Sequence, residues 1–141
     1  METVNTNETA SRLRRSVTRL NRRLRQTALG GISPAQASML GSIDKLDDPS
    51  LGDLATAEQM KPPSVTRLAQ SMQEAGLIVC FSDPEDRRCT RVRLSPLGRR
   101  EIAAIRRRKT EFLESKLRSF SVADQRKAEE LATFLERLLD E

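Results

Sequence analysis

Apolar residues recur every three to four positions along almost the whole chain. The one place where that period fails, residues 77–94, restricts the fold to helices interrupted by a single hairpin. Between Thr9 and Ala28, Leu13, Val17, Leu20, Leu24 and Ala28 make one helical stripe, and Gly30-Gly31 ends it. Ser33-Pro34-Ala35-Gln36 has the form of a helix start, with Ser as N-cap, Pro in the first turn and Gln at the capping-box position. That helix carries Met39, Leu40, Ile43 and Leu46 and breaks at Asp47-Asp48-Pro49. Ser50-Leu51-Gly52-Asp53 opens a short helix, 51–57. Pro62-Pro63 fits only the first turn of the next, 62–75, which buries Val65, Leu68, Ala69 and Met72 and closes at Ala75-Gly76.

The period then becomes that of a sheet. Residues 77–81 form an apolar run rich in strand formers, and Thr90-Arg91-Val92-Arg93-Leu94 alternates polar with apolar. The charged, turn-rich segment 82–89 between them reads as the tip of a two-stranded hairpin. Ser95-Pro96 starts a long helix, 96–118, and Ser121-Val122-Ala123-Asp124 caps a last one, 121–140, with Leu131, Phe134, Leu135, Leu138 and Leu139. The expected architecture is mainly α with a small β-wing.

Composition narrows the chemistry. A chain of 141 residues fits one compact unit. It contains no histidine and two cysteines, so imidazole catalysis, His-ligated metals and a disulfide framework are not expected. No phosphate-binding loop or dinucleotide fingerprint occurs. The expectation is a binding protein with no cofactor and no metal, not an enzyme. No stretch approaches the roughly 20 apolar residues of a membrane span, and Met1–Ala10 is polar, unlike a signal peptide. A cytoplasmic protein without membrane contact is expected. The net charge of +5 is unevenly spread: residues 1–30 carry seven arginines against Glu2 and Glu8, and residues 83–100 carry six against three acids. The second patch suits phosphate contact.

Two short helices, a tight connection and a hairpin follow the order of a winged helix-turn-helix. With the apolar face of 62–75 turned inward, its other face presents Ser64, Arg67, Gln70 and Ser71, with Thr66 and Lys61 near the leading end. All suit base edges and phosphates, and only Glu74 is acidic. In the wing, Asp83, Glu85 and Asp86 precede Arg87 and Arg88. Arginine at such a tip can enter a narrow minor groove, with nearby carboxylates orienting its guanidinium. The apolar faces of the first helix and of 96–118 and 121–140 exceed what a small lobe needs, and a homodimer would bury them. Two recognition helices would then lie roughly 34 Å apart. A general nucleic-acid-binding winged helix without a defined operator is the alternative these residues leave open.

Leu51-x-x-Leu54-Ala55, Pro62-Pro63-Ser64-Val65-Thr66-Arg67-Leu68, Glu74-Ala75-Gly76-Leu77-Ile78, Asp83-Pro84-Glu85-Asp86-Arg87-Arg88 and Leu94-Ser95-Pro96-Leu97-Gly98 occur in that order. Together they resemble the MarR family of transcriptional regulators, over nearly the whole chain. The resemblance implies a homodimer on a pseudo-palindromic double-stranded DNA operator, usually repressing it and often released by a small aromatic or phenolic acid. It implies residues 1–32 and 96–141 as a helical dimerisation region and 33–95 as the DNA-binding lobe. On matching positions, Pro63, Ser64, Thr66 and Arg67 would contact the major groove, and Arg88 the minor groove with Asp86 steadying it. Lys61 departs from the small polar cap frequent in the family, and a lysine there would reach a phosphate instead. An anionic effector would find Arg22, Arg25, Arg99 or Arg100, with Met39 and Leu24 as lining. Cys80 and Cys89, on or beside the wing strands, are expected to be mainly structural or incidental.

Overall fold

The computed structural model describes residues Met1–Asp140. Six helices and two strands follow the chain: α1 (Thr6–Ala28), α2 (Pro34–Lys45), α3 (Leu51–Glu58), α4 (Pro62–Glu74), β1 (Ile78–Ser82), β2 (Thr90–Leu94), α5 (Pro96–Arg118) and α6 (Val122–Leu139). Glu141, the last residue of the expected helical region, lies outside the described residues.

Local chemistry sets most boundaries. Ser33 and Ser50 each accept the backbone N–H three residues on, while Gln36 and Asp53 return the bond to the cap N–H, so α2 and α3 both open on complete capping boxes. α1 begins at Thr6 and not Thr9, because the Asn5 side chain accepts from the Glu8 N–H at 3.1 Å. At the end of α4, Gly76 takes a left-handed φ of 77°. The Leu77 N–H then turns back to the Met72 carbonyl at 2.9 Å, and the Gly76 N–H to Gln73 at 3.0 Å. That commitment removes Leu77 from the strand expected at 77–81 and starts β1 at Ile78. The strands pair antiparallel from Ile78↔Leu94 to Ser82↔Thr90.

One core holds the middle of the chain together. Met39, Leu40, Leu54, Val65, Met72 and Val92 are fully buried, and Ala28, Ile102 and Ile105 join them from α1 and α5. Of the α4 residues expected inside, Val65, Ala69 and Met72 are buried, whereas Leu68 is only half-buried at the rim. α5 is built into this core through its first turns. Gly98 lies against the Leu77 carbonyl, and the Ser95 N–H donates to that same oxygen at 3.1 Å. Further along α5, the Arg108 guanidinium donates to the Ala28 carbonyl at 3.1 Å and so caps the end of α1.

The outer helices behave differently. Of the α1 stripe only Ala28 is buried, while Val17 and Leu20 stand 47% and 45% exposed. α6 buries no residue, and Leu131, Phe134 and Leu138 face solvent. α1 packs along α5, yet Val17 and Leu20 stay uncovered there, and the α6 stripe has no extended facing element within one chain. No helix is long and apolar enough to cross a membrane.

Candidate nucleic-acid interface

The α3–α4 connection is three residues long. Gln59 ends α3 in the left-handed region, at φ 53° and ψ 44°, and the Met60 N–H closes on the Ala55 carbonyl. The Glu58 carboxylate accepts from the hydroxyls of Ser38, at 2.7 Å, and Ser42, fastening the end of α3 to α2. Pro62 and Pro63 then occupy the first turn of α4, where a missing N–H costs nothing. Lys61 precedes them with no side-chain cap bond, since an ammonium has no acceptor to offer the first-turn amides.

Burial of Val65, Ala69 and Met72 fixes which face α4 presents. Pro63, Thr66, Arg67 and Gln70 are exposed on that face, Ser64 is half-buried, and Lys61 is exposed at the leading end. The Thr66 hydroxyl donates to the Pro62 carbonyl at 3.0 Å and that of Ser71 to Leu68 at 2.8 Å. With their hydrogens engaged, these two offer acceptor lone pairs, and Thr66 a methyl group. Arg67, Gln70 and, at the start of the helix, Lys61 are exposed donors.

The wing is a tightly tied loop. The Asp83 N–H donates to Cys89, and the Cys89 N–H to Asp86, both at 2.9 Å. Asp83 Oδ1 accepts from the Glu85 N–H at 2.8 Å, and Asp86 Oδ1 from the Arg88 N–H at 3.1 Å. This corrects one expectation. The carboxylates hold the loop backbone, not the guanidinium groups of Arg87 and Arg88, because an Asp side chain in a tight turn reaches the amide two residues on. Both arginines stand exposed, with no ion-pair partner among the described residues.

Sequence reasoning missed the residues that seat the wing on the helices. Arg91 donates from Nε to Asp83 at 2.9 Å and from Nη1 to the Asp48 carbonyl at 3.1 Å, with Asp53 3.8 Å away. Arg93 forks onto both Asp48 oxygens at 3.0 and 2.7 Å and lies 4.8 Å from the Phe81 ring centre. Asp48 is itself left-handed, at φ 42°, and the Val92 N–H bonds the neighbouring Pro49 carbonyl at 2.9 Å. Alternation in 90–94 does place Arg91 and Arg93 on one side of β2. Nothing local indicates that their partner lies more than forty residues earlier.

These contacts hold three carboxyls below the ordinary aspartate range. For Asp48 the main cause is the Arg93 hydrogen bond, for Asp53 the Ser50 amide, and for Asp83 the Glu85 amide followed by Arg91. Each folded carboxyl binds its proton less tightly than in the unfolded chain. Their support is therefore present in full above an ordinary aspartate pKa of about 3.9 and is lost as pH falls through the depressed values. Asp48→Asn should accordingly lower Tm at pH 7, with the gap to wild type closing on acidification below about pH 4. A gap that stayed constant down to pH 2.5 would contradict this. The Cys80 thiol is pushed up by burial, which makes it a poor nucleophile.

Behind the interface, a cavity of about 280 Å³ opens between α1, α2 and α5. Arg25, Lys45, Arg106 and Lys109 stand around it, Ile102 and Ile105 supply apolar wall, and Ser38 and Ser42 line its α2 side. Of the arginines expected at an effector site only Arg25 is here. Arg99 borders a separate cleft beside Asp44, Asp47 and Asp48, Met39 is sealed in the core, and Arg22, Arg100 and Leu24 do not line the cavity. Among the described residues no group of His, Cys, Asp and Glu is arranged to hold a metal.

Comparison with known proteins agrees with this geometry. The MarR family model matches residues 32–90, the helix-turn-helix and most of the wing. An HTH-type transcriptional regulator of Mycobacterium tuberculosis is 30% identical over 133 residues, covering 94% of this chain and 93% of its own. A Pseudomonas aeruginosa crystal structure described as a transcriptional regulator superposes with a TM-score of 0.82 at 30% identity, over 99% of both chains. A mutant MepR of Staphylococcus aureus, solved bound to an oligodeoxyribonucleotide, shares the fold at a TM-score of 0.71 and 20% identity, over 97% of this chain and 99% of that one. With a winged helix-turn-helix of this geometry and relatives matched along nearly their whole length, the chain belongs to the MarR family of DNA-binding transcriptional regulators.

Proposed function

We propose that the protein is a homodimeric repressor that reads a pseudo-palindromic DNA operator and releases it on binding a small aromatic or phenolic acid. The observation that carries this is the joint exposure of two cationic elements on one rigid lobe: the Arg67–Gln70 face of α4 and the wing tip at Arg87 and Arg88. In this reading α4 enters the major groove, with Pro63, Ser64, Thr66, Arg67 and Gln70 at base edges and sugar-phosphate and Lys61 on a phosphate. Arg88 enters the minor groove, Arg87 contacts the backbone beside it, and Asp86 supports both by holding the loop. Selection of bound fragments from random duplexes tests the reading. An inverted repeat with half-sites about one turn apart should emerge. Fragments sharing no symmetric motif would favour a module without a defined operator.

Residues 1–32 and 96–141 would form the dimerisation region and 33–95 the DNA-binding lobe. The exposed stripes of α1 and α6 support this, since covering the remaining half of each large apolar side chain is worth about 0.7–1.5 kcal/mol. The paired substitution Leu131→Asp and Leu138→Asp should convert a dimer to monomers in sedimentation equilibrium and weaken operator binding at least tenfold. A variant that stayed dimeric would place the interface elsewhere. For the effector, Arg25, Lys45 and Lys109, beside the Asp44-paired Arg106, suit a carboxylate, and the cavity's two isoleucines an aromatic ring. Ser38 and Ser42 lead from its wall to Glu58, three residues before α4's lysine cap. Phenolic acids should lower operator binding by wild type and do so less for Arg25→Gln; equal loss in both would place the effector site outside this cavity.

A further inference from the structure

The first helix carries a charge pattern that neither the fold nor the helix-turn-helix uses. Seven arginines lie between residues 12 and 25 of α1, whose one acid is Glu8. All seven are exposed, and none has an ion-pair partner among the described residues, whereas Arg91, Arg93, Arg106, Arg107 and Arg118 all do. At about 100° per residue, Arg12, Arg15, Arg19, Arg22 and Arg23 fall within roughly a third of the circumference, opposite the stripe of Leu13, Val17, Leu20 and Leu24. Packing of the stripe, on α5 or on a second copy, leaves these five pointing outward in a row about 16 Å long. Like charges three and four residues apart destabilise a helix, and no ion pair among the described residues offsets that.

We propose that this face of α1 binds the phosphate backbone of a second segment of duplex DNA, separate from the segment held by α4 and the wing. All seven cations are arginine, whose planar fork matches phosphate oxygens two at a time. A duplex presents one negative charge per roughly 1.7 Å of axis, dense enough to meet every residue of the row. The segment is a separate one because α1 packs along α5 and has no extended packing on α3, α4 or the hairpin. A protein with both surfaces can hold two stretches of DNA together, one by sequence and one by charge alone.

The test is capture of a second, labelled duplex of unrelated sequence by protein already bound to immobilised operator DNA. The variant carries Arg12→Gln, Arg15→Gln, Arg19→Gln, Arg22→Gln and Arg23→Gln. Capture should fall at least about tenfold, and its dependence on log salt should become shallower by about 2 to 4. Operator occupancy, read in the same assay, should change less than about threefold. The matching five-lysine variant should keep much of the capture, which separates charge from helix integrity. The proposal is overturned if wild type captures no second duplex, or if the glutamine variant captures as well. It is also overturned if poly-glutamate of equal charge displaces the duplex equally, or if the glutamine variant loses self-association. Those last two results would assign the row to an acidic protein or to a second copy. An Arg67→Ala control that lost operator discrimination but kept capture would show the two surfaces acting independently.

Discussion

Gly98→Ala is expected to destabilise the protein by about 3 kcal/mol or more, at the upper end of what overpacking a tight core costs. A Cβ at residue 98 would sit 2.1 Å from the Leu77 carbonyl oxygen and 3.1 Å from its carbon, and this neighbour is backbone, which cannot swing aside. Leu77 is held on both sides, by its N–H to Met72 and by its carbonyl to the Ser95 N–H. Relief would require the start of α5 to withdraw from the hairpin, opening the contact of Ile102 and Ile105 with the core. With a total stability of order 5–15 kcal/mol, that loss would lower Tm by roughly 10 °C. Gly41→Ala is the matched comparison. It lies in the interior of α2, its added methyl meets nothing within 4 Å, and it should stabilise by about 0.5–1 kcal/mol. Calorimetric or chemical unfolding of both variants checks the pair, and equal Tm values would contradict the account of the α5 junction.

Arg67→Ala should cost about 1–3 kcal/mol of base discrimination, a 5- to 150-fold loss of preference at one operator position, with the fold untouched. The side chain is exposed and has no ion-pair partner among the described residues, so its removal orphans nothing inside. Arg88→Ala should act differently. Binding should weaken across all sequences, and the log salt slope should fall by about 1, while major-groove preferences stay as they were. Operator titrations against single-base variants at two salt concentrations separate the two effects. Reversal of the two patterns would exchange the roles given to helix and wing.

The capping boxes at Ser33 and Ser50 were readable because the bonds they make span three residues. Pro62-Pro63 was readable because proline has one place in a helix. The hairpin was legible from its period, but its first residue was not. The Leu77 N–H is claimed by the turn that Gly76 permits, a competition that alternation alone does not reveal. The start of α1 was misplaced for a similar reason: the Asn5 cap precedes the apolar pattern by two turns. Among the candidate interface residues, α4's face followed from Val65 and Met72. The seating of the wing through Asp48, Arg91 and Arg93 did not, since it joins segments more than forty residues apart. Nor could sequence decide whether Asp86 would hold the Arg88 guanidinium or the Arg88 amide. Turn geometry at ångström scale made that choice.

The central claim, that this is a sequence-reading dimer and not a general DNA coat, is tested most directly by equilibrium titration. Its selected motif and a scrambled duplex of equal length would be compared at physiological salt. The account predicts binding to the motif at least about 1,000-fold tighter than to the scrambled duplex, with one dimer per motif. Equal affinities for the two duplexes, with the same steep salt dependence, would contradict it.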